Sequence, residues 1–209
     1  MIAIVDYGVG NLASVRNALA AVGARAELVR DPDALSAAGA IVLPGVGHFG
    51  HCSREFHRRG FAPALRVARE GGTPILAICV GMQLLFEGSE EAGDEPGLGL
   101  LPGRVRRMRE VPRLPHVGWN EVRVRKAHPW LPPSTDGGFF YFVHSYAAGA
   151  SGAEVLGTVD HGGERAAIVG SERLLGVQFH PERSGSAGLA LLRTFAAAVG
   201  ALDTKVAVP

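Results

Sequence analysis

Short aliphatic runs alternate with stretches of helical period through the first half of the chain. Ile2–Val5 predicts a strand, and Leu12–Val22 predicts a helix that Asn11 can cap and Gly23 can stop. Ala26–Val29 and Ala40–Leu43 predict two more strands, the second running into Pro44-Gly45-Val46-Gly47. A mixed apolar face over Phe61–Glu70 predicts a helix ended by Gly71-Gly72. Pro74–Ile78 then predicts a fourth strand, with another helix over Val80–Phe86. Such alternation implies right-handed crossovers and a parallel sheet.

The second half reads differently. Arg104–Met108, Asn120–Val124, Phe139–Val143, Glu154–Val159 and Ala166–Val169 are short runs broken by turn residues, with a hairpin signal at Asp160-His161-Gly162-Gly163. Leu174–Phe179 predicts one more strand and Ser186–Val199 a closing helix. No repeat or linker is visible. Glu87–Gly99 is the single loop rich enough in glycine and acid to be expected mobile. The architecture expected is a three-layer α/β/α sandwich around a mixed, mostly parallel sheet. It spans residues 1–200, with a tail over 201–209 that matches no pattern.

Composition narrows the classes. With 209 residues, 47% hydrophobic and 20% charged, one domain with a full core is expected. A net charge of +1 gives no footprint for nucleic acid or an anionic membrane. Cys52 and Cys79 are the only cysteines, too few for a disulfide framework, so a reducing compartment is expected. The opening M-I-A-I-V-D-Y lacks the basic region of a signal peptide, and no run spans a bilayer, so the expected location is the cytosol.

Cys79 ends an apolar run inside Ala77-x-Cys79-x-Gly81. That pattern is either a buried strand-end thiol or a nucleophile lifted above the sheet on a strand-to-helix elbow. In the second case the helix N-terminus favours a thiolate, the Val80 N–H is an oxyanion donor, and Gln83 lies one turn along on the same face. His180-Pro181-Glu182 shifts the balance toward catalysis. In an extended segment residues i and i+2 point the same way, so Glu182 would orient His180 beside the cysteine. Further oxyanion donors are expected from Gly45 and Val46, where glycines at 45 and 47 would let the intervening peptide rotate at low steric cost. His48, His51, Cys52 and His57 invite a metal reading, but no second cluster completes a tetrahedral site, and they are taken as surface loop residues.

Several segments in order carry a resemblance. They are Asp6-Tyr7-Gly8-Val9-Gly10-Asn11-Leu12, Leu43-Pro44-Gly45-Val46-Gly47-His48-Phe49, Cys79-Val80-Gly81-Met82-Gln83, Leu114 to Asn120, Tyr141 to Tyr146, and Gly176 to Ser184. Together they resemble the class I glutamine amidotransferases, whose fold is flavodoxin-like, and are similar within that family to glutaminase subunits of imidazole glycerol phosphate synthase. The resemblance implies Cys79 as nucleophile, His180 as acid–base group and Glu182 as its orienter. It implies Gln83, Gly47, His144, Ser145 and Tyr146 around the glutamine substrate, and Asn11, Trp119 and Arg183 facing a partner. That partner would be a cyclase subunit, a (β/α)8 barrel, forming a heterodimer and receiving the ammonia. No metal or organic cofactor is implied. Ala77 departs from the family's usual glycine at the elbow, where a slightly less tight turn is expected.

Three other readings share some of these residues. A glutaminase subunit of another synthase, such as that making pyridoxal phosphate, would lack the Leu114–Asn120 segment. A non-catalytic scaffold would be signalled by loss of Cys79, His180 or Glu182. A stand-alone cysteine peptidase is the third, and labelling of Cys79 by a glutamine-analogue electrophile would separate an amidotransferase from the last two.

Overall fold

Runs apolar at every position form the centre of the sheet, as a parallel sheet covered on both faces requires. The structure, a computed structural model, describes residues 1–203. In chain order it contains β1 (Ile2–Val5), α1 (Leu12–Ala21), β2 (Ala26–Val29), β3 (Ala40–Gly45), α2 (Phe49–Arg58), α3 (Phe61–Glu70) and β4 (Ile75–Cys79). After these come α4 (Val80–Leu84), β5 (Gly88–Ser89), β6 (Arg104–Arg107), β7 (His116–Val124), β8 (Phe139–His144) and β9 (Tyr146–Ala147). The chain closes with β10 (Val155–Asp160), β11 (Glu164–Ser171), β12 (Leu174–Val177) and α5 (Gly185–Ala198).

The main sheet has nine strands in the order β2-β1-β3-β4-β12-β11-β10-β7-β8. The pairings from β2 through β12 are parallel, and those from β12 through β8 antiparallel. Because alternate strands reverse, only β11 and β7 run against the rest, so the sheet is mixed and mostly parallel in direction. A second sheet, β5-β6-β9, lies beside it. Helix α1 packs on α5, and α2 packs on α3 and α4. The chain moves outward from β1 to β2 and inward from β3 to β4. Right-handed crossovers therefore put the two helix groups on opposite faces. β1, β3, β4 and β12 are buried along their whole lengths, and their carboxyl ends rise on one side of the sheet.

Several local expectations need correction. Residues 48–57 are no surface loop: Phe49, Cys52, Ser53 and Phe56, at helical spacing, form the buried face of α2. His48 accepts a hydrogen bond from Gly50 N at that helix's start, and His51 is exposed, so these side chains do not converge on a metal. Asn11 stands at the start of α1 but its side chain makes no capping bond. The strand expected at Asn120 begins at His116, because β8 pairs with it from His144 onward. The Glu87–Gly99 loop is tied down: Leu98 N and Gly99 N bond to Leu84 O and Phe86 O, Gly97 N bonds to Glu87 O, and Leu98 is buried. Within the expected tail, Ala201 is buried, Leu202 bridges Ala24 and Asp203 N bonds to Gly23 O, while residues 204–209 lie outside the described residues. No described helix is long and apolar enough to cross a membrane.

Candidate active site

The site is built where β3, β4 and β12 end side by side, with Gly45 opposite Cys79 and Val177 opposite Ile78. That is the edge at which open α/β sheets place ligands. Cys79 closes β4 at φ 55°, ψ −114°, a backbone conformation costly for a residue with a Cβ, about 1–3 kcal/mol. The following residues turn at once into α4. The turn is tight because Gly81 has no side chain: a Cβ there would strike the Leu43 carbonyl oxygen. Ala77 fits within β4 between Leu43 and Gly176, and the elbow forms with alanine in place.

His180 follows β12 and its Nδ1 lies 2.8 Å from Glu182 Oε1, both side chains being almost wholly buried. The segment is not extended, as the sequence reading expected. Pro181–Arg183 is a 3-10 turn, and Glu182 reaches the ring across it. Burial opposes charge on His180, but the Cys79 sulfur and the Glu182 carboxylate outweigh it and push its pKa up to about 10. His180 Nε2, the ring nitrogen not held by Glu182, has no hydrogen-bond partner in the structure. Ser184 fixes the turn: its hydroxyl donates to His180 O at 2.6 Å and accepts from Tyr141 N at 3.0 Å, while His180 N donates to Tyr141 O.

A cavity of about 500 Å³ opens over Cys79. Of the residues singled out in the sequence, it brings together Asn11, Val46, Gly47, Cys79, Val80, Gln83, His144, Ser145, Tyr146, His180 and Arg183. Glu182 sits behind His180, Gly45 packs beneath the elbow, and Trp119 stands outside the cavity on the exposed face of β7. Glu91, Pro115 and Val143 also line the cavity and were not anticipated. Glu91 accepts from Phe49 N at 2.7 Å and so satisfies a free amide at the start of α2.

Gln178 was missed as a site residue. It is fully buried and its Nε2 lies 3.8 Å from Cys79 Sγ. Tyr146 O, which can only accept, fixes Gln83 with its NH₂ inward at 3.0 Å, and the same NH₂ reaches Gln178 Oε1 at 3.1 Å. That leaves the Gln178 NH₂ facing the sulfur and only the carbonyl of Gln83 free toward the cavity. A polar residue in an apolar strand-end run was the available signal.

Tyr146 O also anchors a second chain. Asn120 Nδ2 donates one hydrogen bond to Asp160 O and a second to His116 Nε2. His116 Nδ1 then donates to His144 Nε2, and His144 Nδ1 donates to Tyr146 O. Both rings are neutral in this arrangement. Burial, partly offset by the bond to Tyr146 O, pushes His144 down to about 3. Burial, with the neighbouring His161 adding to it, pushes His116 down to about 4. Both folded values lie below the ordinary 6.5. The rings therefore favour folding fully above pH 6.5, and that contribution is lost as pH falls through their folded values. Lowering pH from 7 to 5 is expected to reduce Tm by on the order of 5 °C through this pair. His116→Gln should lessen the drop in a calorimetric pH series. The same drop in parent and variant would mean the rings are not held neutral.

The chain matches the family described as glutamine amidotransferase class-I over residues 3–199. It is 48% identical over 192 residues to the imidazole glycerol phosphate synthase subunit HisH of Symbiobacterium thermophilum, covering 91% of each chain. It is 43% identical to the HisH subunit of Dehalococcoides mccartyi, covering 93% of this chain and 96% of that one. Among solved structures it is similar to a glutamine amidotransferase (TM-score 0.75, 21% identity, 95% of this chain and 98% of the other). PurLQS from Thermotoga maritima has the same fold, with TM-score 0.73, 22% identity and the same coverage.

Proposed function

Because the chain belongs to the class I glutamine amidotransferase family, and within it matches HisH subunits over more than nine-tenths of its length, we propose that it is the glutamine-hydrolysing subunit of an imidazole glycerol phosphate synthase. The observation that carries the reading is the strained elbow of Cys79 beside the buried His180–Glu182 pair, at the mouth of one cavity.

In this reading the thiolate of Cys79 attacks the side-chain amide carbon of glutamine, forming the S–C bond. Charge moves to the amide oxygen, for which the Val80 N–H and the Gly45–Val46 peptide are the proposed donors. The imidazolium of His180 gives its proton to the departing nitrogen as the C–N bond breaks, releasing ammonia and leaving a glutamyl thioester. His180, now neutral, takes a proton from water, whose oxygen adds to the acyl carbon; the S–C bond breaks, releasing glutamate and restoring the thiolate–imidazolium pair. Glu182 holds the ring and its charge through both steps. Gln83 offers its carbonyl to the substrate, while the backbone at Gly47 and Ser145 and the side chains of His144 and Tyr146 bound the glutamine. Residues 1–200 form the amidotransferase unit.

The partner is taken to be the (β/α)8-barrel cyclase subunit, HisF, which consumes the ammonia. Its proposed seat is the outer face of the β7–β8 edge. Cross-strand partners Val117 and Val143, then Trp119 and Tyr141, lie on one side of the pair, with Phe139 beyond. Val117, Trp119 and Phe139 are each over half exposed, forming a contiguous apolar strip that adjoins the cavity at Val143. Arg183 lies over the Tyr141 ring at 4.7 Å, and Tyr141 also bonds to the backbone that carries His180. Trp119→Ala is expected to weaken cyclase binding at least about tenfold by calorimetry while leaving the fold intact. Undiminished affinity would move the interface elsewhere. Glutamate release by the complex, coupled to cyclase product, tests the function; a complex that releases none would refute it.

A further inference from the structure

The Pro44-Gly45-Val46-Gly47 segment runs over the elbow with its backbone held at three points. Gly45 is pressed on the elbow so closely that a Cβ would lie 2.5 Å from Gly81 N. Tyr7, fully buried at the end of β1, donates its hydroxyl to Pro44 O at 2.9 Å. Cys52, fully buried on α2, donates its thiol to Val46 O at 3.3 Å. The first bond fixes the peptide between 44 and 45, and the second fixes the peptide between 46 and 47. Between two fixed planes, the Gly45–Val46 peptide can turn only about the line joining its own Cα atoms, through ψ of Gly45 and φ of Val46.

We propose that Tyr7 and Cys52 are positioning residues that pin the peptides on either side of Gly45–Val46, confining motion of the oxyanion loop to that one peptide. Cys52 thereby has a role that neither metal binding nor plain core packing gives it. Both donors keep their protons at neutral pH. Burial leads in each case, pushing Cys52 to about 11 and Tyr7 well above its ordinary value. The remaining groups facing these two are each other, Cys79, and Glu91 on the Cys52 side. An unpinned loop would let the Pro44 or Val46 carbonyl swing toward the site and draw the oxyanion donor out of place. A misplaced donor lowers turnover without loosening substrate binding.

The inference rests on the oxyanion role given above to the Gly45–Val46 peptide. Substitution at Gly45 itself would be uninformative, since any side chain there meets Gly81. The test uses Tyr7→Phe, Cys52→Ala and Cys52→Ser. Amide hydrogen exchange is followed by NMR on the full chain, and glutaminase kinetics on its complex with the cyclase subunit. Tyr7→Phe and Cys52→Ala should each speed exchange at residues 45–47 roughly tenfold, with other strands unchanged, and lower kcat about 3–10-fold at constant KM. Cys52→Ser keeps a donor and should restore most of both. Cys52→Ser as defective as Cys52→Ala would reduce Cys52 to packing. Unchanged exchange at 45–47 in Tyr7→Phe and Cys52→Ala would overturn the proposal. Should Cys52→Ala unfold, exchange rises everywhere, and Tyr7→Phe, which removes one oxygen, decides alone. The exchange readout needs no glutamine, so its failure is distinct from failure of the proposed activity.

Discussion

Cys79→Ser is expected to lower glutamine hydrolysis by at least about 10³-fold while leaving the fold unchanged. A hydroxyl is a far weaker nucleophile than a thiolate at neutral pH, and the exchange barely alters volume in a site that is 3% exposed. The elbow should survive, because the close approach of Gly81 to Leu43 beneath it does not involve the sulfur. The loss should fall on ammonia production alone: the variant complex should still form imidazole glycerol phosphate when ammonium salt replaces glutamine. Steady-state rates with each nitrogen source check this. Loss of both activities would contradict a cyclase reaction that belongs to the partner.

Gly81→Ala should have the largest effect on stability. The added methyl would strike Leu43 O and come within 3.0 Å of Leu43 C, backbone that cannot step aside like a flexible side chain. Relief requires moving α4 off the end of β3, which is expected to cost about 3 kcal/mol and to lower Tm by roughly 6–12 °C. The same movement carries the Val80 N–H away from the oxyanion, so turnover should fall with stability. Gly47 makes a contrast. It sits at φ +86° with no neighbour near its missing Cβ, so alanine there adds backbone strain only. Thermal unfolding of the two variants separates collision from strain, and equal losses would contradict the packing described.

The parallel half of the fold was legible because its strands are apolar at every position and its helices end at glycines. β3, β4 and β12 lie where the aliphatic runs put them, and their carboxyl ends bring Cys79 and His180 to one cavity. α2 was overlooked although Phe49, Cys52, Ser53 and Phe56 keep helical spacing, since the histidines among them suggested ligands instead. The strand expected at Asn120 begins earlier, at His116, because its first residues are held by pairing with β8, which lies too far along the chain for a local pattern to show. Gln178 stood out only as a polar residue in an apolar run, and its partners, like those of the His116–His144 relay, were illegible for a different reason. Their roles come from hydrogen bonds between residues far apart in sequence, and no local pattern encodes which amide faces which carbonyl. The family motifs supplied the residues around the cavity, but not that both protons of the Gln83 amide are already engaged.

Reaction of the full complex with an electrophilic glutamine analogue, followed by peptide mass spectrometry, tests most directly whether Cys79 performs acyl transfer on glutamine. The account predicts one adduct per chain, on Cys79, suppressed by excess glutamine and absent from Cys79→Ser. Cys52, buried and hydrogen-bonded to Val46 O, should stay unlabelled. An adduct on Cys52, or labelling of Cys79 that glutamine fails to suppress, would contradict it.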